Sequence, residues 1–147
     1  MYTPEEFDLA KQKVLKYIMF KKRSKAEVKN KFSRIIESEI LNDLMDELEE
    51  NGYIDDDNYI SRSVDEFINL NNLSIREVKY KLMTKGISSD KIDNYFSNNY
   101  DILYEYELNS AKKIKTKKEK NMDEEEIKAF LLKKGYRQEI VKEVFED

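Results

Sequence analysis

The stretch SKAEVKNKF at residues 24–32 recurs as SIREVKYKL at 74–82 and as DEEEIKAFL at 123–131. The three stretches align without gaps, and their starts lie 50 and 49 residues apart. Each begins with Ser or Asp, has Glu three residues later and Val or Ile next, and ends on Phe or Leu. A period of this length indicates a helical repeat protein.

Each stretch carries the signature of a helix N-terminus. The side chain of its first residue can accept a hydrogen bond from a free N–H of the first turn, while the Glu three residues on reaches back to the first residue's own N–H. The Val or Ile and the Phe or Leu four residues later then lie on one face of the helix. Each stretch therefore predicts the start of an amphipathic helix.

Apolar residues also recur every three or four positions before and after each stretch, which is typical of amphipathic helices. The preceding segments carry Phe7, Ala10, Val14, Tyr17 and Ile18, then Ile60, Val64, Phe67 and Ile68, and then Leu103, Leu108, Ala111 and Ile114. The following segments carry Ile40, Leu44 and Leu48, then Ile92, Tyr95 and Phe96, and then Ile140, Val144 and Phe145. We predict an all-α protein of three tandem three-helix repeats, at residues 1–53, 54–100 and 101–147, that forms an elongated, curved array.

The composition fits thin helical layers with large wet surfaces. Hydrophobic and charged residues each make up 39% of the chain, against typical values of about 45 to 50% and about 25%. The 12% of aromatic residues supplies apolar area that disordered chains lack. Because the chain has no Cys and no run of about 18 apolar residues, we expect a cytoplasmic protein that does not enter the membrane.

The stretch NGYIDDDNYI at residues 51–60 predicts a junction between the first two repeats. Gly52 is placed to end a helix in a left-handed conformation, and Tyr53 and Ile54 are expected to pack across the boundary. Asp55 and Asp56 then start the next helix, where carboxylates stabilise free N–H groups. We expect this junction to fix the angle between the repeats.

A metal site at the same aspartates is the alternative interpretation. An EF-hand loop would need a glycine and a distal glutamate after alternating acids, and residues 55–66 contain no glycine. The chain also has no His, the commonest general base and metal ligand. We therefore expect no catalytic residue, no cofactor and no metal, and keep a Mg²⁺-dependent phosphodiesterase using residues 55–57 as a competing hypothesis.

Charge is strongly segregated along the chain, although the net charge is only -4. Residues 21–34 hold seven basic side chains and one acid, residues 37–50 hold seven acids and no base, and residues 112–120 hold six Lys. Such runs can be solvated helix faces, but one continuous basic face would suit phosphates or an acidic protein groove. The candidate partner-binding residues are Lys21, Lys22, Arg23, Lys25, Lys29, Arg62, Arg76, Lys79, Lys81, Lys112 and Lys113.

Four motifs follow one another in an order that is specific as a set. They are KKRSKAEV at 21–28, GYIDD at 52–56, KGIS at 85–88 and FLLKKGYRQEIVKEVF at 130–145. With them, nearly the whole chain resembles the RecX family of bacterial regulatory proteins. The resemblance implies a non-enzymatic protein that binds the RecA recombinase filament on single-stranded DNA, and we expect this protein to be a monomer. The resemblance also implies that the protein restrains ATP hydrolysis and strand exchange and promotes filament loss.

Two departures from the family bear on DNA binding. Lys21 stands where the family often has Arg, and NLNNLS at residues 69–74 lacks the glycine and basic residues that other members carry. We therefore expect only weak direct contact with DNA. The alternative function is a stand-alone nucleic-acid-binding protein with helix-turn-helix-like modules, against which the acids of residues 37–50 argue.

Overall fold

The computed structural model describes residues 1–146, and within that range the chain forms nine α-helices and no strand, which confirms the predicted all-α class. The helices are α1 (Pro4–Phe20), α2 (Lys25–Phe32), α3 (Ser38–Glu50), α4 (Asp56–Leu70), α5 (Ile75–Thr84), α6 (Ser89–Asn98), α7 (Tyr100–Lys118), α8 (Glu124–Lys134) and α9 (Gln138–Val144). None of these described helices is both long enough and apolar enough to cross a bilayer.

Three separate cores divide the helices into three triples, α1–α3, α4–α6 and α7–α9. Within each triple every helix contacts the other two. Val14 and Leu44 are fully buried in the first core, and Tyr136 is buried in the third. Near the predicted repeat boundaries, Ile54 packs into the first core and Leu103 into the second.

All three predicted capping boxes form, at Ser24, Ser74 and Asp123. In the first box the Ser24 hydroxyl accepts from the Glu27 N–H at 3.1 Å, and the Glu27 carboxylate accepts from the Ser24 N–H at 3.0 Å. These reciprocal bonds satisfy two N–H groups that a helix start would otherwise leave free. The capping signature therefore placed the start of each second helix correctly.

The turn at Gly52 closes the first triple. Gly52 has φ +80°, its N–H donates to the Glu49 carbonyl at 3.1 Å, and the Tyr53 N–H donates to the Leu48 carbonyl at 2.9 Å. This is a Schellman motif, which folds the following apolar residue back onto the helix it ends. Ile54 accordingly enters the first core while Tyr53 stays 44% exposed, whereas the sequence predicted that both would pack across the boundary.

Two other glycine turns, at Gly86 and Gly135, each sit against the second helix of the preceding triple. Both have left-handed backbones, with φ +80° and +109°. A Cβ on Gly86 would lie 2.2 Å from the Ala26 Cβ, and one on Gly135 would lie 2.9 Å from the Ser74 hydroxyl. Glycine is therefore required twice over, by the backbone conformation and by the close approach.

A buried serine hydroxyl ties each of these turns to the preceding triple. Ser24 donates to the Lys85 carbonyl at 2.7 Å, and Ser74 donates to the Lys134 carbonyl at 3.0 Å. Both serines are fully buried. We call these contacts the first joint, between the first and second triples, and the second joint, between the second and third.

Each joint also contains a carboxylate from the first helix of the following triple. Asp56 of α4 accepts from the Lys25 N–H at 2.9 Å, and Glu107 of α7 accepts from the Ile75 N–H at 2.9 Å. Lys25 and Ile75 are the first residues of α2 and α5, whose N–H groups have no partner within their own helices. The two joints therefore repeat one hydrogen-bonding scheme.

Candidate functional site: a basic cleft at the first joint

A cleft of about 570 Å³ opens where the first and second triples meet. Its cationic lining comes from both triples: Lys21, Lys22, Arg62, Lys81 and Lys85. Its apolar lining comes from Tyr59, Phe67 and Leu82, and Glu66 is the one acid among the described lining residues. We call this site the basic cleft.

Four local structures bring the cations together. Lys21 and Lys22 directly follow α1, Arg62 lies in the middle of α4, and Lys81 lies near the end of α5. Lys85 is the C-cap of α5, and its carbonyl is the one that Ser24 holds at the first joint. The joint therefore sets the separation between the cations of the first triple and those of the second.

Most of this positive charge is not neutralised by the protein. Within residues 1–146, no carboxylate lies within 4.0 Å of the charged groups of Lys21, Arg62 or Lys81. Lys22 donates to the side-chain oxygen of Asn58, and Lys85 lies 3.9 Å from Glu27. The low-dielectric walls of a cleft concentrate the positive electrostatic potential of such residues, and this potential attracts anions.

The wall residue Tyr59 carries a neutral phenol at physiological pH. Burial, together with the negative charge of Glu27, raises the pKa of Tyr59 to about 12. Because Glu27 belongs to the capping box of α2, this tyrosine of α4 also faces the first triple. The cleft thus combines a neutral aromatic wall with a cationic rim.

A second hollow, of about 600 Å³, continues the cleft along α5. It shares Lys81 and Thr84 with the cleft and adds Arg76 and Tyr80, together with Glu77 and Lys134, which pair with each other at 3.0 Å. The Tyr80 side chain is 67% exposed. We call the cleft and this hollow together the basic surface.

The structure brings together five of the eleven predicted partner-binding residues. Lys21, Lys22, Arg62 and Lys81 line the cleft, and Arg76 joins Lys81 in the hollow. Lys85 and Tyr80 also line this surface but were not among the predicted site residues. The KGIS motif at 85–88 could have pointed to Lys85, because the glycine of this motif lies at the first joint, against Ala26.

Three of the remaining predicted residues have partners within the protein. The Arg23 guanidinium lies 4.2 Å from the centre of the Tyr17 ring, and its Nε is buried with no hydrogen-bond partner among residues 1–146. Lys25 pairs with Glu49 at 2.9 Å. Lys79 lies over the Phe96 ring at 5.1 Å, in a cleft between α5, α6 and α7.

The other three predicted residues lie outside the basic cleft. Lys29 is exposed on α2, and Lys112 and Lys113 are exposed on α7 in the third triple. The basic residues therefore form a focused surface across the first joint, with separate cations elsewhere, instead of lining one face along the whole chain.

The three consecutive aspartates have three different environments. Asp55 caps α4 by accepting from the Asn58 N–H at 3.1 Å, whereas Asp56 accepts from α2 across the first joint. Asp57 is exposed and lies 3.9 Å from Lys91. In the part of the chain that the structure describes, no three acidic side chains converge in a way that suits a metal ion.

Comparison with curated proteins finds relatives that share one name, regulatory protein RecX. The RecX of Finegoldia magna is 30% identical over 149 residues, an alignment that covers 95% of this chain and 70% of the relative. The RecX of Streptococcus mutans is 26% identical over 144 residues, covering 91% of this chain and 53% of the relative. The chain thus spans about half the length of the second relative. No family model matches the chain.

Two solved structures share the fold. The crystal structure of RecX from Lactobacillus salivarius superimposes with a TM-score of 0.81 at 20% identity, covering 97% of this chain and 96% of the other. A second crystal structure, of a regulatory protein RecX, gives a TM-score of 0.82 at 21% identity, covering 97% of this chain and 74% of the other. At these identities the likeness establishes the helical architecture.

Proposed function

The chain belongs to the RecX family of regulatory proteins, and from that premise we propose that it binds the RecA recombinase filament on single-stranded DNA and inhibits its ATPase and strand exchange. The observation that carries the proposal is the basic surface, where Lys21, Arg62 and Lys81 have no ion-pair partner among the described residues. Cations arranged in this way guide and orient docking onto an acidic partner.

We propose that regulation works by binding and not by chemistry on the protein itself. The buried carboxylates of Asp56 and Glu107 are already engaged by backbone N–H groups at the joints. A chain without cysteine suits the reducing cytoplasm, where a recombinase filament lies. We further propose that the protein acts as a monomer whose repeats make many spread contacts along a helical groove, as repeat proteins do.

The test of this function is ATP hydrolysis by RecA from the same organism on single-stranded DNA. Adding the protein in stoichiometric amounts should slow hydrolysis and shorten the filaments, which electron microscopy measures directly. If both hydrolysis and filament length are unchanged, the proposal is wrong.

A variant with less positive charge in the basic cleft tests whether the partner binds there. Lys21→Gln with Arg62→Gln should raise the concentration for half-maximal inhibition by about tenfold, because each of the two lost charge pairs contributes up to about 1 kcal/mol. The matched control is Lys13→Gln with Lys16→Gln, which removes exposed positive charge from α1 outside the cleft. Equal losses in both variants would contradict a contact through the basic surface.

The same surface also favours a second candidate, a protein that binds nucleic acid without RecA. Tyr80 is exposed beside Arg76 and Lys81, an arrangement that suits stacked bases and phosphates. Tight binding to duplex DNA that weakens steeply with salt would support this function. Helix α3 is unsuited to contact DNA bases in a groove, because the acids Asp46, Glu49 and Glu50 line one of its surfaces.

A further inference from the structure

Three cations of the basic cleft, Lys21, Arg62 and Lys81, do not form the repeated joint. Lys22 does bond to Asn58 across the first joint, and Lys85 pairs with Glu27 there as Lys134 pairs with Glu77 at the second joint. In the repeat alignment that superimposes Ser24 on Ser74, Asn71 and Asn72 occupy the positions of Lys21 and Lys22. The second joint nevertheless forms the same serine-to-carbonyl hydrogen bond. Lys21, Arg62 and Lys81 are therefore not needed to hold the triples together and are available to a ligand.

We propose that the basic cleft binds a nucleotide. Its phosphates would lie among Lys21, Lys22, Arg62 and Lys81, and its ring would lie against the aromatic wall. Arg62 offers the planar fork that matches phosphate oxygens, and the lysines add point charges. The volume of about 570 Å³ lies within the range of about 300 to 1,000 Å³ that small-molecule sites occupy.

The apolar wall distinguishes a nucleotide from a bare phosphate. Tyr59 and Phe67 are half-buried, and Leu82 is buried beneath them. An inorganic anion would leave this wall facing water, whereas a nucleoside covers it. Base-to-aromatic contacts contribute about 1 to 3 kcal/mol per base in other proteins.

A nucleotide in the cleft contacts two triples at once. Lys21 and Lys22 belong to the first triple, and Arg62 and Lys81 belong to the second. The ligand therefore bridges the first joint and restricts motion of one triple against the other. The inference does not depend on the regulator function, because the binding is measured with no RecA present.

The phosphates and the base in the cleft can belong to a free nucleoside triphosphate or to a nucleotide within a single strand of DNA. The full chain is titrated in a calorimeter with ATP, with an octamer of deoxythymidylate and with inorganic tripolyphosphate, all at one ionic strength. Saturable binding of either nucleotide ligand is expected, with tripolyphosphate clearly weaker than ATP. The tighter of the first two ligands identifies the source.

Matched variants tie the binding to the cleft. Arg62→Gln with Lys81→Gln should weaken binding at least about tenfold, since two charge-assisted hydrogen bonds are lost. Lys112→Gln with Lys113→Gln removes the same charge from exposed residues of α7 that do not line the cleft, and should change affinity less than about twofold. Thermal unfolding of each variant confirms that it is folded.

Three results would overturn the inference. The first is no saturable binding of either nucleotide ligand at millimolar concentration. The second is an equal loss of affinity in the cleft variant and the α7 variant, which would indicate attraction by overall charge. The third is tripolyphosphate binding as tightly as ATP, which would remove the nucleoside contact with Tyr59 and Phe67.

Discussion

The hydroxyl of Ser24 donates a hydrogen bond of 2.7 Å to the carbonyl of Lys85, 61 residues further along the chain. The same hydroxyl accepts from the Glu27 N–H at 3.1 Å, so one buried atom both caps α2 and holds the second triple. Ser74 repeats both roles toward Glu77 and Lys134. The same serine side chain therefore caps a helix and fastens one triple to the next.

Replacing Ser24 by Ala should cost more than replacing a serine that only caps. The cap alone accounts for about 1 kcal/mol, and losing the hydrogen bond to the Lys85 carbonyl adds about 0.5 to 1.5 kcal/mol. The matched control is Ser88→Ala, because Ser88 caps α6 from an exposed position and, within residues 1–146, its hydroxyl makes no hydrogen bond across a joint. Urea denaturation measures both, and equal losses would contradict the double role.

Gly86→Ala and Gly52→Ala separate backbone strain from close approach. Both glycines have φ +80°, so each substitution carries the same left-handed strain of about 1 to 2 kcal/mol. Gly52 has open space around an added Cβ, whereas the Cβ at Gly86 would meet Ala26 at 2.2 Å. We expect Gly86→Ala to lower the unfolding midpoint clearly more than Gly52→Ala, and similar midpoints would disprove the tight joint.

Glu107 is a fully buried carboxylate at the second joint and needs several hydrogen-bond donors. It accepts from the Ile75 N–H, from the Arg137 N–H at 3.3 Å and from the Arg137 Nε at 3.1 Å. Glu107→Gln replaces one of the two accepting oxygens by an amide NH₂ and removes the negative charge beside Arg137, so it should destabilise the protein by about 1 to 3 kcal/mol, the cost of leaving a buried donor without its acceptor.

Glu105→Gln is the control for that prediction, because Glu105 lies two residues away on the exposed side of α7. Exposed substitutions of this kind change stability by less than about 0.5 kcal/mol. Thermal unfolding compares the two variants at neutral pH. A Glu107→Gln protein as stable as the control would show that the buried carboxylate does not hold the second joint.

Local signals in the sequence predicted the elements of the fold well. The capping boxes depend only on residues three apart, and the left-handed turn at Gly52 depends on the residue type itself. All of these formed where the sequence placed them. α2 lacks such a glycine and ends at Phe32 without one.

The joints and the cleft could not be predicted in the same way, because they depend on residues far apart in sequence. Asp56 reads locally as a cap for α4, yet it bonds to Lys25 of α2. Glu107 sits within a helical pattern that gives no sign of its burial. Which cations line the cleft follows from how the triples stack. Lys79 and Lys81 already lie on nearly opposite faces of α5, because they are two residues apart, and only Lys81 faces the cleft.

Stability should fall at alkaline pH as buried tyrosines ionise. Burial, with the charge of Glu27, raises the pKa of Tyr59 from 10.0 to about 12, so folding favours its neutral form. Its contribution to stability is complete below pH 10 and is lost as the pH rises toward about 12. Burial also raises the pKa of Tyr106 and, further still, of Tyr136, which lose stability in the same direction.

Tyr59→Phe tests this assignment, since it removes the ionisable group and keeps the ring. The variant should lose less stability than the parent between pH 10 and about 12. Ultraviolet absorbance of tyrosinate should show one fewer late-titrating tyrosine in the native protein, while in urea every tyrosine titrates near its ordinary pKa of about 10. If the tyrosine missing from the native titration is one that ionises near pH 10, the pKa of Tyr59 is not raised by its burial and by Glu27.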